Sequence, residues 1–251
     1  MAWLPGSIRR VGHKGADAVV PGNTVASFEA AAGIGVEMVE FDVLWTREGH
    51  PELPAGERTG LIVAHDWEAA AQAEAARQSL SLEQALEAFA HPGPLAGLEI
   101  DCDLKLPGRE RELTEAIANQ GLTERAMVST MEIGSLERIA DLAPDLRRGW
   151  TYPRVTRDWT RSRWAKPGIF AALIAMRRRL PGIAARQLPL LGVEAMWVYY
   201  PLITARLAEV TAAAGVELIA WTVDDADAMR RLADRGVQGL CSNDPRLFTT
   251  A

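Results

Sequence analysis

Three short segments, His13-Lys14-Gly15, Glu40-Phe41-Asp42 and His65-Asp66, place imidazoles and carboxylates in runs that otherwise read as buried strands. A charged group on a buried strand is costly to desolvate, so such groups pair with one another or hold a metal. Strand side chains alternate, so Glu40 and Asp42 share one face while Val39, Phe41 and Val43 share the other. Two convergent carboxylates make a site for a hard cation. His13 and His65 nearby can serve as acid and base. This combination suits metal-assisted cleavage of a phosphate ester.

A fourth segment, Glu99-Ile100-Asp101-Cys102-Asp103-Leu104-Lys105, extends the pattern. Period two puts Glu99, Asp101, Asp103 and Lys105 on one face and Ile100, Cys102 and Leu104 on the other. Asp103, near the strand end, is a natural third ligand beside Glu40 and Asp42. Lys105, just beyond it, is placed to hold a phosphoryl oxygen. Glu99 falls deep, where an unpaired carboxylate is unfavourable. Arg9 shares the parity of His13 and also falls deep, so it is expected to pair with Glu99 or Asp101. His50 and His91 sit in turn-like contexts and read as structural.

The elements that would position these groups alternate from end to end. Strands are expected near 8–13, 38–43, 97–103, 126–130, 147–150, 194–199, 217–222 and 238–242. An extra strand near 61–65 is expected to form a hairpin with the second. Helices fit 24–34, 81–90, 108–120, 132–142, 165–180, 202–214 and 225–235. Ser81 and Gln84 form a capping-box signal, and Gly121 and Gly215 stand where helices should end. Eight strands alternating with helices predict a parallel (β/α)8 TIM-type barrel, with an open doubly wound sheet as the fallback. In a barrel, His13, Asp42, His65, Asp103 and Lys105 would converge on the rim where strands end. No internal repeat or linker is visible, so residues 1–251 read as a single domain.

Bulk properties narrow the function classes. The chain has 251 residues, 48% hydrophobic and 24% charged, with a formal net charge of -6. That balance argues against general nucleic-acid binding, since no basic excess exists to neutralise phosphates. No signal peptide or membrane-length apolar run is visible. Cys102 and Cys241 read as buried thiols in a reducing cytosol, so the expected location is cytoplasmic.

His13-Lys14-Gly15, Pro21-Gly22-Asn23-Thr24, Ser27-Phe28, Glu40-x-Asp42-Val43, Thr46, His65-Asp66, Asp103-Leu104-Lys105, Trp221-Thr222-Val223 and Ser242-Asn243-Asp244-Pro245 occur in that order. Together they resemble the glycerophosphodiester phosphodiesterase family, over about residues 8–245. The resemblance implies a (β/α)8 barrel and a metal-dependent cleavage of small glycerophosphodiesters to glycerol 3-phosphate and an alcohol. It puts the metal ligands on Glu40, Asp42 and Asp103, with Mg²⁺ or Ca²⁺ as the divalent cation. It puts the catalytic histidines on His13 and His65, the basic phosphate contacts on Lys14 and Lys105, and a mouth-lining aromatic on Trp221. Lys14 stands where the family usually has Arg, Gly22 where it has Glu, and Asp103 where it has Glu. Asp-Leu-Lys also resembles the sphingomyelinase D-like phospholipases, so a phospholipase acting on lysophospholipids or sphingolipids is the alternative. A barrel that binds a phosphorylated ligand without turnover is the third reading. No His-x-His ends the first strand, which argues against a zinc amidohydrolase.

Residues 154–186 stand apart. Nine cations there face the single acid Asp158, with apolar residues interleaved. The segment reads either as a membrane-surface helix or as an insertion whose helix packs on the barrel with a solvated basic face. The second reading is favoured, and no obligate protein partner is evident.

Overall fold

The computed structural model describes residues 8–45, 60–154 and 166–249, with side chains in the last stretch from residue 171. In chain order the elements are β1 (Arg9–His13), α1 (Val25–Ile34), β2 (Met38–Trp45), β3 (Leu61–Val63), α2 (Trp67–Ala75), α3 (Leu82–Ala90), β4 (Glu99–Leu104), α4 (Glu110–Asn119) and β5 (Ala126–Thr130). They continue as α5 (Ile133–Leu142), β6 (Arg147–Tyr152), α6 (Lys166–Leu191), β7 (Ala195–Tyr199), α7 (Ala205–Ala213), β8 (Glu217–Trp221), α8 (Ala226–Ala233) and β9 (Gly239–Ser242). The sheet order is β1-β9-β8-β7-β6-β5-β4-β2-β3, and β1 also pairs with β2. Eight parallel strands therefore close into a TIM-type barrel. β3 lies antiparallel on β2 as the expected hairpin.

Alternation along the strands builds two compartments. The outward faces carry Val39, Phe41, Val43, Ile100, Cys102 and Leu104, all buried beneath the helices. Phe28, Phe41 and Phe89 cluster there, with ring centroids 5.4–6.1 Å apart. Truncating one such ring to alanine should cost about 3–5 kcal/mol.

The inward faces stack in layers drawn from alternate strands, as the strand registers require. At the strand-start end lie Arg9, Glu99, Arg147 and Glu217. Arg9 pairs with Glu99 at 2.7 Å, as its parity predicted, and also with Glu217 at 2.8 Å. An apolar plug follows, with Val11, Met38, Met127, Ala195 and Ile219. Above it sit Glu40, Ser129, Trp197 and Cys241, then His13, Asp103, Thr151 and Trp221. A Cβ at Gly149 would lie 2.7 Å from Trp197 Nε1, so a residue without a side chain lets that indole enter the barrel.

Caps formed largely where the sequence placed them. Ser81 and Gln84 make the capping box of α3. Gly121 (φ +68°) and Gly215 (φ +70°) follow α4 and α7 in left-handed conformation, and the N–H groups of Leu122 and Val216 reach back to Ile117 and Thr211.

Two helices depart from expectation. α2 was not expected; Asp66 caps it by accepting from Ala69 N at 2.8 Å, and an alanine-rich sequence carries it on. α6 was expected to end at residue 180, before Pro181, yet it runs to Leu191 through Pro181 and Pro189. Leu180, Ala184, Leu188 and Leu191 recur at helical spacing on its buried side, so packing on the barrel outweighs the lost backbone hydrogen bonds. Among the described residues, no helix is long and apolar enough to cross a membrane. Thr46, His50 and residues 155–165 lie outside the described residues.

Candidate active site

The rim at the strand ends gathers the residues the sequence singled out. Glu40, Asp42 and Asp103 each offer a carboxylate oxygen, and these atoms lie within 4.8 Å of one another. All three side chains are buried. Adjacent strands do this work: β2 supplies Glu40 and Asp42, and the β2–β4 register sets Asp42 beside Asp103.

Each carboxylate has distinct partners. Glu40 Oε2 accepts from the backbone N–H of Lys14 at 3.0 Å. Asp42 is held by Asn23, which donates Nδ2–H to Oδ2 at 2.8 Å and accepts the Asp42 backbone N–H through Oδ1 at 3.2 Å. Lys14 Nζ lies 3.6 Å from Asp42 Oδ2. The Lys105 ammonium bridges Asp42 and Asp103. Asp103 Oδ1 is buried and has no hydrogen-bond partner among the described residues.

The electrostatics follow from this crowding. Burial, and next the charge of Asp42, push the Glu40 carboxyl well up. Burial would raise Asp42 too, but Lys105, Lys14 and the two histidines hold it far below the usual carboxylate range. Burial would lower Lys105, but Asp103, Asp42 and Glu40 keep its ammonium firmly charged.

His13 ends β1, with Nδ1 at 2.6 Å from Asn243 Oδ1. Asn243 is itself fixed by Asp224, which accepts from Asn243 Nδ2 at 2.6 Å and from its backbone N–H at 2.8 Å. The amide oxygen can only accept, so His13 carries its proton on Nδ1 and leaves Nε2 unprotonated. Nε2 lies 3.9 Å from Glu40 Oε2. Burial lowers the His13 pKa and favours the neutral ring. His65 follows β3, with its side chain half exposed and Nδ1 at 3.0 Å from Asp66 Oδ2.

A cavity of about 230 Å³ opens among these groups. His13, Glu40, His65, Asp103 and Lys105 line one wall. Met131, Thr151, Trp197 and Trp221 line another. Trp221 stands beside Tyr199, with ring centroids 5.7 Å apart.

The glycerophosphoryl diester phosphodiesterase family model matches residues 13–59 and 98–247. The chain belongs to this family. Membership makes it a phosphoric diester hydrolase. A glycerophosphodiester phosphodiesterase of Caldanaerobacter subterraneus subsp. tengcongensis is 25% identical, over 94% of this chain and 93% of its own length. A Parabacteroides distasonis glycerophosphodiester phosphodiesterase shares the fold with TM-score 0.70 at 18% identity, covering 96% of this chain and 95% of that one. An Oleispira antarctica phosphodiesterase, solved in complex with the product sn-glycerol-3-phosphate, aligns with TM-score 0.67 at 18% identity, over 98% of this chain and 96% of its own.

Within the family frame, Glu40, Asp42, Asp103, Lys105, His13 and His65 converge, Lys14 joins them through Asp42, and Trp221 lines the cavity mouth. Four contributors had no role in the sequence reading. Asn23 and Asn243 lie inside the quoted motifs, and their amides now explain those positions: one clamps Asp42, the other sets the His13 tautomer. Parity on β7 turns Trp197 inward to the cavity, as parity on β6 turns Thr151. At Gly22 a Cβ would meet Asp17 Oδ1 at 2.6 Å, and the Gly22 N–H donates to that oxygen at 2.7 Å. A native Asp17 carboxylate thus fills the space beside the glycine. His91 is structural, as expected, with Nδ1 at 2.9 Å from Glu87 O at the end of α3.

Proposed function

We propose that this protein hydrolyses glycerophosphodiesters to glycerol 3-phosphate and an alcohol, using a divalent cation and a pair of histidines. The observation that carries this reading is the set of three buried carboxylates converging within 4.8 Å in a cavity that also holds His13, His65 and Lys105.

The donor set fits a hard cation. All three groups offer oxygen, Asp103 Oδ1 is buried without a hydrogen-bond partner among the described residues, and Glu40 is pushed toward protonation by burial and by Asp42. Three carboxyl groups face two ammonium groups there, so a further cation would favour the ionised form of Glu40 that burial and Asp42 oppose. Mg²⁺ or Ca²⁺ held by Glu40, Asp42 and Asp103 would polarise a phosphoryl oxygen and offset charge developing in the transition state.

The chain's own groups do the rest. Lys14 and Lys105 add positive charge beside the phosphate, where exclusion of water makes it most effective. His13 takes the proton of the attacking oxygen at Nε2, since Asn243 fixes its other nitrogen as the donor. His65, oriented through Nδ1 by Asp66, protonates the departing alcohol oxygen. Trp197 Nε1, Trp221 Nε1 and Thr151 Oγ1 are buried without hydrogen-bond partners among the described residues, so the cavity wall offers donors to a polyol. The product complex of the Oleispira antarctica relative supports a glycerol-phosphate ligand for this cavity. The free, buried thiols of Cys102 and Cys241 suit a reducing cytoplasm.

The test is hydrolysis of glycerophosphocholine after chelation. Glycerol 3-phosphate release should vanish with chelator and return with Mg²⁺ or Ca²⁺. Release of phosphocholine instead would reverse the assigned bond. Undiminished release after chelation would overturn the metal role, and binding of glycerol 3-phosphate without turnover of any diester would favour a non-catalytic barrel. Faster turnover of lysophosphatidylcholine than of glycerophosphocholine would favour the phospholipase alternative.

A further inference from the structure

α6 is longer than the barrel it packs on. Its 26 residues give a length of about 39 Å, against about 15 Å for the 10-residue α5. Its end is fixed at the strand-start side, because β7 begins at Ala195, soon after Leu191. From there the helix runs toward the rim, anchored by Leu180, Ala184, Leu188 and Leu191. It also packs on the turn Tyr200–Leu202 that follows β7, which lies at rim level. Residues 180–191 span about 18 Å, close to the whole of α5 at about 15 Å. The preceding residues therefore extend past the rim on the side of the candidate active site.

That extension has an unusual surface. Ala171, Ala172 and Ala175 are exposed, and Ile174 is 38% exposed. Arg177, Arg178 and Arg179 follow at once, all exposed, and none has a carboxylate partner among the described residues. Residues 166–191 contain no acid, although the whole chain carries a net charge of -6. Leu173 and Met176 keep one side of the helix on the core, so the exposed side is a settled surface.

We propose that this first half of α6 docks the protein, rim first, onto an anionic lipid surface. Apolar side chains at the head-group boundary and arginines among anionic head groups complement such a surface together. A nucleic acid or acidic protein would engage the arginines but would leave Ile174 and the alanines unused. The docked face is the cavity side of the barrel. That this presents the mouth to lipid-borne diesters rests on the phosphodiesterase reading above; the docking itself does not.

The experiment is co-sedimentation of the full chain with vesicles of phosphatidylcholine alone or with phosphatidylglycerol added. Three arginines near an anionic surface should tighten binding on the order of 100-fold over neutral vesicles. The triple change Arg177→Glu, Arg178→Glu, Arg179→Glu should abolish the preference. Ile174→Asp should weaken binding without removing its salt dependence. Both variants should retain glycerophosphocholine hydrolysis, which shows that they are folded. Equal binding to both vesicle types, or a preference that survives the triple change, overturns the proposal. So does equally tight binding to polyglutamate, which would assign the arginines to an acidic macromolecule. A chain that docks but hydrolyses no diester would sink the phosphodiesterase reading and leave the docking intact.

Discussion

At the strand-start end of the barrel, Arg9, Arg147, Glu99 and Glu217 form a balanced set of two cations and two anions. At the opposite end, the carboxyl groups of Glu40, Asp42, Asp101 and Asp103 face Lys14 and Lys105, two more than the lysines can pair, and Glu40 and Asp101 are both pushed toward protonation. The same group responds in opposite directions. Burial acts to raise Glu99, but Arg9 and Arg147 outweigh it and leave its pKa lowered. Glu40 is raised, because burial and its acidic neighbours dominate. A chain of ion pairs from Glu217 through Arg9 and Glu99 to Arg147 ties strands together, whereas surplus buried carboxyl groups are a cost that folding alone does not reward. Charge balance therefore separates the structural end from the working end.

The sharpest way to break this comparison is to neutralise each end. At the working end, Asp42→Asn removes a proposed ligand and should lower kcat by on the order of 10³-fold, since metal stabilisation of charge is worth several kcal/mol. His13→Ala should lower it by about 10²–10⁴-fold through loss of general base catalysis. Glu40→Gln should abolish turnover of the metal-loaded enzyme, and in the metal-free protein it should raise the thermal midpoint, because it removes a carboxyl that burial and Asp42 disfavour. A lower midpoint in Glu40→Gln would show that the surplus carboxyl is structural after all.

The pH profile tests the same end more gently. His13 must be neutral to act as base, and burial lowers its pKa below the ordinary 6.5. Activity should persist as pH falls through 6.5 and decline only at lower values. Asn243→Asp, made together with Asp224→Asn so that the new carboxylate keeps a donor in place of a second carboxylate, should displace that acidic limb upward, because a carboxylate at Nδ1 favours the imidazolium. An unmoved limb in this double variant would remove His13 from the role of base.

The structural end predicts a smaller effect of opposite kind. Glu99→Gln leaves Arg9 and Arg147 without their shared carboxylate. It should cost about 1–3 kcal/mol in urea unfolding, since the set is only partly buried, and leave kcat nearly unchanged. The sign of the linkage is set by the lowered Glu99 pKa. Its contribution is fully present above the unfolded value near 4.5 and is lost as pH falls through the lower folded value. Wild-type protein should therefore lose stability through this interval while Glu99→Gln shows a flatter dependence.

Both ends were partly legible in the sequence, for one reason. Strand parity fixes which side chains face inward, and it correctly joined Glu40 to Asp42 and Asp103, and Arg9 to Glu99. Parity says nothing about loops, so the clamp of Asn23 on Asp42 and the hold of Asn243 on His13 needed coordinates. It also turns Trp197 on β7 inward, although an indole on a strand reads first as packing. The length of α6 was hidden by Pro181, because the local rule that proline ends a helix was overruled by a buried stripe twelve residues long. The fold reached from alternation of strands and helices was the part least dependent on such detail, since barrel closure needs only the count and order of elements.

The smallest effect expected concerns Lys14, which lies between the two behaviours. It follows the first strand with φ +53° and sits 3.6 Å from Asp42 Oδ2. Its backbone N–H already serves Glu40, so a change of side chain to Arg or Gln keeps that bond. The ammonium is a single point charge, whereas a guanidinium could hold Asp42 and a phosphoryl oxygen together through its planar fork. Lys14→Arg should therefore lower KM for glycerophosphocholine a few-fold, on the scale of one added charge-assisted hydrogen bond of about 1 kcal/mol, with kcat and stability nearly constant. Lys14→Gln should raise KM while leaving the backbone contact to Glu40 in place. If Lys14→Gln instead destabilised the fold as Glu99→Gln does, Lys14 would belong with the balanced set, and the contrast between the two ends would rest on Lys105 alone.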